Sequence, residues 1–316
     1  MSSEPLLISS PSDRPVVLVT GATGAEGGSV ARALLASGRW HVRAMTRRPE
    51  SEAAARLADA GADIVRGDLA DPSALRVPFA GVRAVYGHIS GVSHFAAAYV
   101  MGRNLLAAVG ASGARHFVFS SQASARFASD GALEVPRFDV MGQLEQDAYD
   151  MGLPITAVHV AFPYEDFLRR IPPRLTATGQ YEVVVPQGDT PLAAVSLDDV
   201  GPVVARLFAN PSAYLHSVFH IVGDEQPMGD YVDALAQASG MAIRYRHVER
   251  DAFAALLNSH AVPDAAHLAA LFEYYRRFVP SRAGSLAATR SLHPGVRRFR
   301  QWMSGRLGGM QQTMAA

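Results

Sequence analysis

The chain has no cysteine, and although it carries 29 cationic side chains it has no lysine: every one is arginine. The first absence excludes disulfides, thiolate metal ligands and a cysteine nucleophile. The second excludes any catalytic device that depends on a lysine side chain. No sign of charge dominates, with 29 acidic residues against 29 basic, so nothing draws the whole chain to nucleic acid or a membrane. Long apolar runs are scarce at the start, where Leu6-Leu7-Ile8 stands alone between Met1 and Pro15. That run is too short for a signal peptide or a membrane span, and the expected location is the cytoplasm. A Gly-x-Ser-x-Gly elbow is also missing, which leaves a hydrolase little support.

What is present is an ample core and one telling stretch. About half of the 316 residues are apolar (49%) and 18% are charged, the balance of a folded chain. In Val16-Val17-Leu18-Val19-Thr20-Gly21-Ala22-Thr23-Gly24-Ala25-Glu26-Gly27-Gly28, strand-forming residues run into a glycine-rich turn from which a helix starts. A turn this tight calls for positive φ, and a pyrophosphate lies against the backbone only where no Cβ intrudes. Unpaired N–H groups at the helix start, together with the helix dipole, favour phosphate. The turn from Gly21 through Thr23, Gly24, Ala25 and Glu26 to Gly27 is therefore read as a dinucleotide cradle, in the required context of strand before and helix after.

Strands alternate with helices from there. Strands are expected at Val42 to Met45, Asp63 to Arg66, Val82 to Gly87, His116 to Ser120 and Ile155 to Val160. Helices are expected after the glycines to about Ser37, from Pro49 to Gly61, from Ser93 to Ala111 and from Phe138 to Met151. This rhythm implies right-handed crossovers and an α/β fold with a doubly wound parallel sheet. Residues 1–14 read as a loose leader, 15–160 as the nucleotide-binding Rossmann domain, and 161–316 as a smaller mixed α/β cap carrying the substrate region. In that second half Asp198 or Asp199 is expected to cap a helix. His216 and His220 would share one strand face without a supporting carboxylate, so no metal site is read there. From Tyr274 onward there are arginines and no acid, a solvated face in preference to a nucleic-acid surface.

The residues after the second strand bear on the choice of dinucleotide. NAD sites place a carboxylate near that strand's end to bind the ribose 2′-hydroxyl. Here Thr46, Arg47 and Arg48 come first, and no acid appears before Glu50. A guanidinium can fork onto a 2′-phosphate, so NADP is the expected cofactor. After strand four, Gly87, His88 and Ile89 lie where the backbone would pass the nicotinamide ribose; His88 reads equally as a buried neutral side chain.

Four segments together resemble the NmrA-like family, atypical members of the short-chain dehydrogenase/reductase superfamily. They are Gly21 to Val30 with its doubled glycine, Val42 to Pro49 with its arginines, Gly61 to Leu69 with Gly67-Asp68-Leu69, and Val195-Ser196-Leu197-Asp198-Asp199-Val200-Gly201. The resemblance implies that Asp68, beside Leu69, accepts from the adenine amino group. It also places a hydroxyl near the reacting carbonyl at Ser120 or Ser121, which with His88 are the candidate catalytic residues. Family enzymes carry Tyr-x-x-x-Lys on the following helix. Alignment on Phe138-Asp139 puts Arg137 at the tyrosine and Met141 at the lysine, and Tyr149 is the nearest tyrosine if that alignment shifts. Alcohol dehydrogenase chemistry by such a pair is therefore not expected, whereas hydride transfer to a quinone-like or unsaturated acceptor remains open. The alternative is an NADP(H)-sensing regulator that binds a protein partner; a homodimer is left open.

Overall fold

The computed structural model describes residues 14–89, 95–279 and 281–306. Most of the expected leader, residue 93 at the start of the expected third helix, and the end of the arginine-rich stretch beyond residue 306 lie outside the described residues. Contacts divide the chain into two compact units: Met1–Ser120, Ala148–Thr156 and Val204–Ser217 form the first, and Ser121–Asp147, Ala157–Val203 and Val218–Ala316 form the second.

The principal sheet has seven strands: β1 (Val16–Val19), β2 (His41–Thr46), β3 (Asp63–Arg66), β4 (Ala84–Gly87), β5 (His116–Ser121), β6 (Ile155–Val160) and β7 (Ser217–Ile221), in the order β7-β6-β5-β4-β1-β2-β3. The ladders are parallel, with Val17 opposite both Val42 and Ala84. A strand flanked on both sides and covered on both faces reads as a continuous apolar run, and Val17, Leu18 and Val19 are completely buried. Helix α1 (Ala25–Ala36) buries Val30 and Leu34 fully, each worth about 1.5–3 kcal/mol, while Leu35 is half-buried. Gly38, at φ +65°, lies just past its end.

Two expected helix starts are corrected. Helix α2 (Glu52–Asp59) opens at Ser51, not at Pro49. The Ser51 hydroxyl accepts the Ala54 N–H, a service proline cannot provide. In α5 (Leu197–Ala209) neither aspartate is the cap. Ser196 Oγ accepts the Asp198 N–H and the Glu165 carboxylate accepts the Leu197 N–H, while buried Asp199 instead holds Arg297 at 3.2 Å. Helices α3 (Phe95–Ser112) and α4 (Pro136–Asp150) lie between β4 and β5 and between β5 and β6 in the chain.

The second unit has short sheets, among them Tyr181–Val185 paired with Ile243–His247, and helices α6 (Met228–Ser239) and α7 (Ala265–Phe278). Its core is aromatic where that of the first unit is largely aliphatic. Phe167, Tyr231 and Phe299 pack within 4.9 Å of one another by ring centroids, with Tyr164 and Trp302 against Phe299. Among the described residues, no helix is long and apolar enough to cross a membrane.

Candidate functional site

In the first unit the glycine turn divides its labour. Gly21 adopts φ +62°, a conformation that disfavours any side chain. Gly24 takes the N-cap position in extended conformation and stays exposed beside exposed Thr23 and Ala25. Gly27 permits the close approach, since a Cβ there would stand 2.4 Å from the Gly21 carbonyl oxygen. The N–H groups of the first helical turn have no intrahelical acceptors and are the groups a phosphate would use.

A pocket runs from this turn to the ends of β2 and β3, bordered by Gly21, Thr23, Arg47, Arg48, Asp68 and His88, with Thr46 and Leu69 also on its wall. Arg47 and Arg48 are exposed, and among the described residues neither guanidinium has a carboxylate within 4.0 Å. The acid that follows them, Glu50, instead faces Arg66 at 3.5 Å. Asp68 uses Oδ1 for the Ala70 N–H, so it serves as a turn residue while still bordering the pocket. Leu69 is buried and its carbonyl accepts from Asn104; Ile89 is buried in the core. A space edged by glycines, unpaired helix-start N–H groups and free guanidinium forks fits the phosphates of a dinucleotide.

Beneath this turn lies a polar cluster that residue spacing did not reveal. Glu26 Oε1 accepts from Tyr86 Oη at 2.7 Å and Ser120 Oγ at 2.5 Å, and lies 3.0 Å from His88 Nδ1. Burial works to raise the Glu26 pKa, but the His88 charge and the hydrogen bonds from His88, Ser120 and Tyr86 outweigh it and hold the group at about 2. Burial and this carboxylate drive the Tyr86 phenol well above its ordinary value. Thr20 Oγ1 bonds both the N–H and the carbonyl of His88, at 2.7 and 2.9 Å, and so fixes the end of β4 against β1. The Glu26 side chain is thus committed to the protein, which leaves only its main-chain N–H available to a phosphate.

The two serines at the end of β5 part company. Ser120 Oγ belongs to the Glu26 cluster, whereas Ser121 Oγ donates to Glu145 Oε2 at 2.6 Å in the second unit. Glu145 Oε2 also meets His159 Nε2 at 2.8 Å, and the His159 ring stands edge-on to His220 at 5.0 Å. His220 accepts from Arg282 at 2.8 Å. Met141 is buried on α4 one turn before Glu145. Tyr149 bonds the Ser217 carbonyl at 3.4 Å. His216 and His220 do not share a strand face: His216 precedes β7 at φ +59°. Among the described residues no group of three His, Cys, Asp or Glu side chains could hold a metal. Of the clustered side chains that sequence reasoning missed, His159 left a trace, as an ionisable residue in the otherwise mostly apolar strand Ile155–Val160.

The seven-stranded parallel sheet and its glycine turn define a Rossmann fold of the NAD(P)-binding class. The NmrA-like family model matches residues 13–302, and the chain belongs to that family. An NmrA-like family domain-containing oxidoreductase of Cladobotryum sp is 26% identical over 283 residues, 82% of this chain and 83% of its own length. Two solved structures share the fold. NmrA, a negative transcriptional regulator in complex with NADP, has a TM-score of 0.77 and 19% identity and covers 96% of this chain and 97% of its own. An NADPH-dependent quinone oxidoreductase of Escherichia coli complexed with NADPH has a TM-score of 0.77 and 21% identity, covering 92% and 99%.

Proposed function

We propose that this chain is an NADP(H)-dependent oxidoreductase that reduces a quinone-like or unsaturated small molecule without a Tyr-Lys pair. The observation that carries the reading is the pair of exposed guanidiniums, Arg47 and Arg48, at the end of β2, with no carboxylate partner among the described residues. They are suited to a 2′-phosphate, and an acid in their place would repel it. The first turn of α1 would provide N–H groups for the pyrophosphate, Asp68 would hold the adenine end, and the backbone of His88 and Ile89 would lie toward the ribose. A bound nicotinamide supplies the hydride. With Met141 in the lysine position, the chain positions the reactants and water supplies the proton that a hydroquinone requires. The oxidoreductase name of the Cladobotryum relative and the NADPH complex of the quinone oxidoreductase support the same reading.

NADPH should bind more tightly than NADH, and Arg47→Ala with Arg48→Ala should cut that preference by at least about tenfold, because one charge-assisted contact is worth roughly 1.5–3 kcal/mol. Fluorescence titration of both dinucleotides measures this, and equal affinities in the parent protein would defeat the NADP assignment. Steady oxidation of NADPH by menadione is the expected activity. Binding with no turnover across a panel of quinones would shift the reading to a dinucleotide-sensing regulator that acts on a protein partner.

A further inference from the structure

The segment that carries Arg47 and Arg48 is held by a residue of the neighbouring strand. Strand β3 lies at the edge of the sheet, and Arg66, its last residue, stands opposite Thr46 at the end of β2. One guanidinium there makes two attachments. Arg66 Nη1 donates to the Arg47 carbonyl at 3.3 Å, and Arg66 Nη2 meets the Glu50 carboxylate at 3.5 Å. Arg66 does not border the dinucleotide pocket, whereas Arg47 and Arg48 do.

Glu50 is brought there by a turn. The Arg48 carbonyl accepts the Ser51 N–H at 3.1 Å, which closes a four-residue β-turn with Pro49 at its second position, the place a proline favours. Glu50 is the first acid after the two arginines and follows Arg48 by two residues. Its carboxylate is the one group of this segment that works against a 2′-phosphate. It repels the phosphate and offers both guanidiniums a partner of their own. A carboxylate near the end of this strand is also what binds the ribose 2′-hydroxyl in NAD sites. Arg66 gives Glu50 a different cation to face, one outside the pocket.

We propose that Arg66 is a positioning residue for dinucleotide choice: by engaging Glu50 and the Arg47 carbonyl together, it keeps the Arg47 and Arg48 guanidiniums clear for a 2′-phosphate. The inference rests on the NADP(H) reading of that pair. An arginine suits the task because its planar fork presents separate N–H donors to a carbonyl and a carboxylate, where an ammonium is a single point charge. Arg66 and Glu50 are 71% and 68% exposed, so their pairing adds little to stability, and what it sets is where the negative charge rests.

A double-mutant cycle on the ratio of NADPH to NADH affinity tests the proposal, by fluorescence titration of the full chain at low ionic strength. Arg66→Ala should lower the ratio by about fivefold, the upper end for one exposed charge pair, through weaker NADPH binding. In a Glu50→Gln background the same substitution should change the ratio by less than about twofold, because no carboxylate is left to release. A loosened segment, or the plain loss of one more cation, would cost the same in both backgrounds and would overturn the proposal. So would an unchanged ratio in Arg66→Ala while the parent protein prefers NADPH. A parent protein that binds both dinucleotides equally would instead remove the NADP assignment, and this inference with it.

Discussion

Each unit holds a glutamate and a histidine drawn together from distant parts of the chain, and the two clusters resolve their charge in opposite ways. In the first, Glu26 Oε1 gathers Tyr86, Ser120 and His88, and the carboxylate is kept ionised with a pKa near 2 despite burial. In the second, Glu145 Oε2 takes Ser121 and His159, and the histidine beyond them, His220, is kept neutral beside the Arg282 cation. The first cluster is a settled anion under the glycine turn, in the first turn of α1 where the helix dipole also favours negative charge. In the second the Arg282 guanidinium hydrogen-bonds a neutral imidazole, and the Glu225 carboxylate, held by the Arg282 main-chain N–H, answers its charge through space. A buried anion with three donors rigidifies the turn above it, whereas in the second cluster the charges are spread over separate residues.

The largest effect on this contrast should come from Glu26→Gln. The folded pKa of Glu26 lies below its ordinary 4.5, at about 2, so its ionisation contributes stability that is fully present above pH 4.5 and disappears as pH falls toward 2. A difference of that size corresponds to about 3 kcal/mol at neutral pH. Urea unfolding of parent and variant should differ most at pH 7 and converge near pH 2. Curves that stay parallel through that window would mean that Glu26 is not the settled anion of the first unit.

At His220, on the other side of the comparison, the shift is larger than at Glu26, but the ring is only half-buried and solvent screening makes its effect the smaller of the two. Its folded pKa is depressed from 6.5 to about 3, so the unfolded chain binds a proton that the folded chain refuses. Stability tied to this group is complete above pH 6.5 and declines as pH falls toward 3. His220→Gln removes the titration while keeping an acceptor for Arg282. Its unfolding midpoint should therefore fall less than that of the parent between pH 6.5 and 4. A variant that tracks the parent would place the imidazole's titration outside the folding equilibrium.

The difference between the clusters also explains what could be read from residues alone. Strands β1, β4, β5 and β6 were legible because strands covered on both faces are short, mostly apolar runs, and Val16–Val19 and Ile155–Val160 appear where they were expected. The glycine turn was legible because its constraints are local, φ at Gly21 and clearance at Gly27. Neither cluster was. Glu26 meets residues 60 and 94 positions away, and Arg282 meets one 62 positions away, so only the folded chain shows that these groups share a charge balance. Pro49 misled for the opposite reason: a local preference for helix starts yielded to a better acceptor two residues on, Ser51.

The smallest effect is expected at Met141, and it sharpens the comparison by doing almost nothing. Met141 is buried on α4, one turn before Glu145 and on the same helix face, and in the proposed reading it replaces the lysine of a Tyr-Lys pair. Met141→Leu nearly conserves volume, so it should cost less than about 1.5 kcal/mol and leave NADPH binding and quinone reduction essentially unchanged. Met141→Lys is the informative contrast. An ammonium four residues from Glu145 would be its neighbour on the helix surface and would compete with Ser121 and His159 for that carboxylate. The lysine variant should therefore melt at a lower temperature, and the leucine variant should not. If Met141→Leu alone abolished turnover while NADPH still bound, the thioether would be positioning a reactant, and the passive wall assigned to it here would be wrong.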